Sequence, residues 1–154
     1  MLKTKVGYSV LKDAFASGEA TARMASEGMK PKLGLLFTSV LQDQKEIMKG
    51  VKSVTDAPIV GCTSSGAVMV PDGLITSPDG FSGMMMFDDP NMTVGVACHE
   101  AGSDARKIGR KVAIEAVKNA GSSIIFLHGS KSKRRRGLYE RNPRCHWTCT
   151  ILWR

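Results

Sequence analysis

Over the first 61 residues, short apolar runs alternate with segments of helical spacing, and this alternation most limits the folds open to the chain. Lys5 to Ser9 (KVGYS) has the length and character of a short strand. In the following DAFASGEATARMASEG, Ala14, Phe15, Ala22, Met24 and Ala25 recur at helical intervals until Gly28 and Pro31 stop the pattern. KLGLLFT, from Lys32 to Thr38, is the continuous apolar run of a buried strand. LQDQKEIMKGVKSV reads as a second amphipathic helix with Leu41, Ile47, Met48 and Val51 inward, and APIVG, from Ala57 to Gly61, as a third strand. The order is β-α-β-α-β.

The character then changes. VMVPDGLITSPDGFSGMMMFDD places two Pro-Asp-Gly triplets between short apolar runs, the signature of turns and an antiparallel strand meander. Met84, Met85 and Met86 fit a strand with both faces in a core, since consecutive strand residues point to opposite sides. Beyond it, MTVGVACHE is a strand, DARKIGRKVAIEAVKNAG a helix with Ile108, Val112, Ile114, Ala116 and Val117 apolar, and SSIIFLHGS another strand. These three elements repeat the first three. An offset of 91 residues pairs Asp13 with Asp104, Ala14 with Ala105, Gly18 with Gly109, Ala22 with Ala113, Ala25 with Ala116 and Ser39 with Ser130. The expected fold is therefore α/β (mixed α+β): two similar β-α-β-α-β halves with an antiparallel meander between them, the second half incomplete.

At 154 residues the chain fits one domain whose core needs no metal or disulfide staple. No run approaches the roughly 18 apolar residues of a membrane span, so a soluble, cytoplasmic protein without membrane partners is expected. The four cysteines, two of them in apolar segments, point to reduced thiols. The net charge of +8 is concentrated at one end: Lys131 to Arg154 holds eight Lys or Arg and one Glu.

That basic segment, KSKRRRGLYERNPRCHWTCTILWR, resembles nothing before it, although a helix and a strand should stand there. Reading the gene one nucleotide later forces glycine at positions 147 and 153, because tryptophan has one codon, and permits Gly-Ile-Gln-Asp-Val-Ile-Gly-Pro-Val-Pro-Phe-Phe-Gly from Arg141 to Trp153. This matches the helix and strand around Gly50 to Gly61. The expectation is a domain over residues 1–130 and a basic, disordered, aberrant tail over 131–154 that arises by frame shift. The codons of the gene test it directly.

The succession VGYS, a helix opening at Asp13, LGLLFTS and KEIMKGVKSVTDAPIVGCTSSGAV, with the alternative-frame GIQDVIGPVP ending in FFG, resembles the N-terminal region of FIST domains. The resemblance covers about residues 5–130, and PIVGCTSSGAV is its most specific part. It implies a non-catalytic sensory module of signal-transduction proteins in bacteria and archaea, and of some eukaryotic F-box proteins, that recognises small ligands such as amino acids. It also implies a missing partner, either a C-terminal FIST region or a signalling output domain.

The stretch IVGCTSSGA decides where a ligand would sit. A Walker loop would need Lys and Ser or Thr where Ala67 and Val68 stand. A nucleophile elbow would need serine where Thr63 stands and glycine where Ser65 stands. Cys62 as an enzyme nucleophile would need a base such as His99 or His128, which the sequence alone does not locate, and a small buried cysteine at a strand end is the bland reading. The preferred reading is a ligand-lined turn: the hydroxyls of Thr63, Ser64 and Ser65 beside Cys62, with backbone N–H groups freed by Gly61 and Gly66, at the C-terminal end of a strand. Turn-only capping by the same hydroxyls is the bland alternative. Tyr8 and Ser9, closing the first strand, line the same end of the sheet in the repeat's geometry. No cofactor motif is present. His99 lacks further ligands at metal-site spacing, and Cys145, His146 and Cys149 depart from zinc spacing. The rival function is nucleic-acid binding through the tail, whose basic run and Tyr139, His146, Trp147 and Trp153 suit phosphates and bases. The frame-shift account covers the same residues without a function and is preferred.

Overall fold

The computed structural model describes residues 1–100, 104–120 and 147–152. Its elements in chain order are β1 (Lys3–Ser9), α1 (Ala14–Ser26), β2 (Leu33–Ser39), α2 (Gln44–Lys52), β3 (Ile59–Ser64), β4 (Val68–Val70), β5 (Gly73–Ile75), β6 (Ser82–Asp88), β7 (Gly95–Glu100), α3 (Ala105–Ala120) and β8 (Trp147–Leu152). The fold is mixed α/β. Two compact units divide the chain, Met1–Met92 and Thr93–Arg154.

In the first unit the expected β-α-β-α-β order holds, with helices opened by their own side chains. Asp13 accepts a hydrogen bond from the Ala16 amide at 2.7 Å, and Asp43 accepts from Lys45 and Glu46. Each carboxylate satisfies amides that the first turn of a helix leaves without partners. Leu41, expected inward, precedes α2 and is exposed. Helical spacing extended one turn too far N-terminally, where Asp43 already caps.

Four strands form the main sheet in the order β1-β6-β2-β3. Strand β6 lies between β1 and β2, antiparallel to both, while β2 and β3 are parallel. The meander therefore divides: β4 and β5 pair as a separate hairpin, and β6 enters the sheet. Both Pro-Asp-Gly triplets mark turns, with Gly73 at φ 124° and Gly80 at φ 97°, backbone that a side chain would strain.

The register assigns the two faces. Gly7, Met84, Leu36 and Gly61 form one row across the four strands, and Tyr8, Gly83, Phe37 and Cys62 form the next on the opposite face. The first face is covered by α1 and α2: Leu36, Met84 and Met86 pack with Ala22, Ala25, Ile47 and Val51. Of the three consecutive methionines, Met84 and Met86 are buried in this core and Met85, on the other face, is 37% exposed.

Two glycines set how closely α1 and α2 cross. A Cβ on Gly18 would stand 2.2 Å from the Ile47 carbonyl oxygen, and one on Gly50 would stand 2.1 Å from that of Phe15. Each helix thus presses its backbone onto the other's glycine.

A polar knot lies beside this core. Ser17 and Thr21 of α1 meet Ser82 of β6, with hydroxyl oxygens 2.8 and 2.6 Å apart, and all three residues are fully buried. Ser82 donates to the Ser17 carbonyl at 3.2 Å, which leaves its oxygen to accept from both other hydroxyls. Ser82→Ala removes the shared acceptor and is expected to lower unfolding free energy by about 1–3 kcal/mol, measured by urea titration.

In the second unit, β7 and α3 repeat the order of β1 and α1, and β7 pairs antiparallel with β8. Ala97, Val112, Ala116 and Ala120 form its core. The same device brings helix onto strand in both units. A Cβ on Gly7 would meet the Thr21 carbonyl oxygen at 2.3 Å, and one on Gly95 would meet that of Ala116 at 2.1 Å. The strand expected after α3 and the segment 131–146 lie outside the described residues.

The reduced state expected of all four cysteines holds for Cys62, a free and exposed thiol, and fails for Cys98, which is disulfide-bonded. Cys149 stands opposite Cys98 in the β7–β8 register. A disulfide is a tertiary contact, so local pattern does not announce it. Among the described residues no helix is long and apolar enough to cross a membrane.

Candidate functional site

A shallow groove of about 530 Å³ opens where β3 ends and β4 begins. Cys62, Thr63, Ser64 and Ser65 belong to its lining. Phe37, Ala67, Val68 and Met69 complete the lining. Strand order explains the assembly. Parallel pairing sets Phe37 of β2 directly beside Cys62 of β3, and the short turn after Ser64 brings β4 back over the same face.

The hairpin is held over that face at two points. Val68 lies on Gly83, whose missing side chain makes the room: a Cβ there would be 3.0 Å from Val68 Cγ1. At the far side, Tyr8 Oη donates to Asp72 in the β4–β5 turn at 2.9 Å. The Asp72 carboxylate raises the Tyr8 pKa from its ordinary value, first by accepting the phenol's hydrogen bond and second by its charge. Tyr8→Phe removes this tie. We expect little change in global stability and faster exchange of the β4–β5 amides, read by hydrogen–deuterium exchange.

Of the residues singled out in the sequence, Cys62, Thr63, Ser64 and Ser65 line the groove together. Ser64 is already engaged, its hydroxyl donating to the Ala67 carbonyl at 2.9 Å, which closes the turn. Gly61 and Gly66 are not in the lining. Gly61 has a steric task instead, because a Cβ there would stand 1.7 Å from the Leu36 carbonyl oxygen of β2. Tyr8 shares a row with Cys62 but is separated from it by β6 and β2, about 14 Å at ordinary strand spacing. It reaches the region through the hairpin. Ser9 is buried on the helix-covered face, where its hydroxyl accepts from the Leu11 amide at 3.2 Å.

Phe37, Val68 and Met69 are lining residues that sequence reasoning did not select. Phe37 is 38% exposed and Met69 72% exposed, so the groove presents apolar as well as hydroxyl surface. The signal available was register: aligning the ends of two parallel strands puts FTS against CTS.

The other residues weighed for chemistry lie in the second unit. His99 Nε2 and Glu115 Oε2 are 2.9 Å apart, an exposed pair between β7 and α3. Among the described residues no cluster of three His, Cys, Asp or Glu is arranged to hold a metal ion. His128 and most of the basic aromatic tail lie outside the described residues, except Trp147 to Leu152 in β8.

Comparison with known proteins gives one family. The family model for the FIST N domain matches residues 32–146, which takes in β2, α2, β3 and the whole groove. No curated protein matches the chain.

Proposed function

The chain belongs to the FIST N domain family, a family of sensory signal-transduction domains, and from that premise we propose that the groove between β3 and β4 is its small-ligand site. The observation that carries this reading is the concentration of accessible polar groups beside apolar surface. Thr63 and Ser65 are exposed, their side chains have no hydrogen-bond partner among the described residues, and Phe37 and Met69 lie alongside. A concave patch of that mixture suits a small polar metabolite such as an amino acid. Occupancy would be passed to a partner, either a C-terminal FIST region or a signalling output domain.

We read the site as non-catalytic. The lining brings no His, Asp, Glu or Lys to Cys62, so the thiol has no base in the groove to generate a thiolate. Rapid, selective alkylation of Cys62 with loss of a measurable turnover would overturn that. The free thiol of Cys62 would suit a cytoplasmic setting, and the disulfide at Cys98 an oxidising one.

A thermal-shift screen of free amino acids and other small polar metabolites tests the ligand site, since a ligand at 100 times its Kd adds about 2.7 kcal/mol of apparent stability. Hits should move the amide resonances of Cys62 to Ser65. Phe37→Ala, at a half-exposed position, is expected to cost about 1 kcal/mol or less in stability and to weaken a hit at least about tenfold. Hits that leave these resonances still, and that Phe37→Ala does not affect, would refute the assignment.

A further inference from the structure

The groove's missing charge and open strand edge together narrow what it accepts, granted that it is the ligand site. None of its lining residues is Asp, Glu, Lys or Arg, in a chain with 22 basic and 14 acidic side chains. A free amino acid carries an ammonium and a carboxylate. Against an uncharged wall both lose hydration and meet no counter-charge.

The backbone of β3 supplies what the side chains do not. Gly34 N–H donates to Pro58 O at 2.9 Å, and Val40 N–H donates to Ser64 O at 3.1 Å. Successive strand residues turn their N–H and C=O groups to opposite sides. Even-numbered residues of β3 therefore face β2, and Gly61 and Thr63 turn theirs away from it. β3 is the last strand of its sheet, so this side has no neighbouring strand among the described residues.

The two sheet edges are also built differently. β1 carries Lys3 and Lys5, charged residues of the kind that discourage another strand from adding. Ile59 to Ser64 contains no charged residue and no proline. An edge of this composition beside a groove that includes the apolar Phe37 and Met69 has the two parts of strand-addition recognition: main-chain pairing, and a place for a side chain.

We propose that the groove binds a neutral, amide-bearing residue, as found inside an extended peptide, rather than a free amino acid. Its amide N–H and C=O pair with Gly61 and Thr63, and its apolar side chain lies toward Met69 and Phe37.

The test compares N-acetyl-leucine N-methylamide with free leucine on the full chain, followed by amide resonances. The capped compound should shift Gly61 and Thr63 and bind at least about tenfold more tightly, because it brings paired amides and no unpaired charge. Methylating its leucine amide nitrogen, which removes one donor without touching the protein, should abolish most of that binding. Thr63→Pro removes the outward N–H, leaves the β2 pairing intact and should weaken the capped compound about as much. Its fold is checked by thermal unfolding. Free leucine binding as tightly as the capped compound, with the same resonances shifted, would overturn the inference and leave the ligand site standing. No response to the capped compound also overturns it, and the metabolite screen then decides the ligand site separately.

Discussion

Gly18→Val is expected to unfold the first unit or leave it with a greatly lowered melting temperature. The opposing terms can be compared. Leaving glycine in a helix interior improves intrinsic propensity by up to about 1 kcal/mol, less for a β-branched residue. Against this, the first added carbon would already stand 2.2 Å from the Ile47 carbonyl oxygen and 2.9 Å from its carbon, both backbone atoms with no rotamer to escape into. Relief requires the α1 and α2 axes to separate. That opens the contact through which Ile47 and Val51, both fully buried, meet Ala22 and Ala25. Overpacking alone costs about 1–3 kcal/mol, and losing a large aliphatic contact adds about 2–5 kcal/mol. Small domains hold only about 5–15 kcal/mol in total. Thermal unfolding followed by circular dichroism measures the loss, and Gly18→Ala should give a smaller shift in the same direction. A rise in melting temperature for either variant would show that the crossing does not need its glycines.

The second large effect is expected from Gly61→Ala, and it joins fold to function. The new methyl would stand 1.7 Å from the Leu36 carbonyl oxygen, so β3 must move away from β2 or twist off it. On either side of that point Pro58 O accepts from Gly34 of β2 and Ser64 O from Val40 just beyond β2, and such bonds contribute about 0.5–1.5 kcal/mol each. With the strain, a loss of about 2–4 kcal/mol is expected in urea unfolding. Binding at the groove should fall further than stability does, because Phe37 and Cys62 are neighbours only through the β2–β3 register. Phe37→Ala separates the two effects: it should impair binding while keeping the sheet. Gly61→Ala with unchanged stability would remove the reason given for glycine there.

How much was legible in the sequence follows from the range of each interaction. Helices α1 and α2 could be read because their signals are local: helical spacing in both and, for α1, Asp13 before the first turn and Gly28 beyond the last. The Pro-Asp-Gly triplets were legible for the same reason, since Gly73 and Gly80 occupy backbone that other residues avoid. The position of β6 was not. Its apolar run predicted a strand, but nothing local says that Met85 will lie between Val6 and Leu35.

At the candidate site, Cys62 to Ser65 stood out because small hydroxyl residues after an apolar run are locally unusual. Phe37 did not, since it becomes part of the groove only when two parallel strands align. Gly61 was noticed for a different reason from the one the structure supplies. Local pattern points to its backbone donors, and only the strand pairing shows that the missing side chain also admits the Leu36 carbonyl. Tyr8 stands in the same row as Cys62, and its route to the groove passes through Asp72, a turn residue with no conspicuous signature.

The place of β6 in the sheet also bears on how the chain is made. Strands β1 and β2 leave the ribosome first but have no direct partnership; the strand that joins them is synthesised after both helices, β3 and the hairpin. Until Asp88 has emerged, the nascent chain holds β1 apart from the β2–β3 pair, and helices whose core still lacks Met84 and Met86. Such late, non-local closure slows folding and lengthens the time in which apolar surface can be captured by other chains. The unit completes itself from the middle, and its vulnerable interval ends only when the last of its strands is inserted.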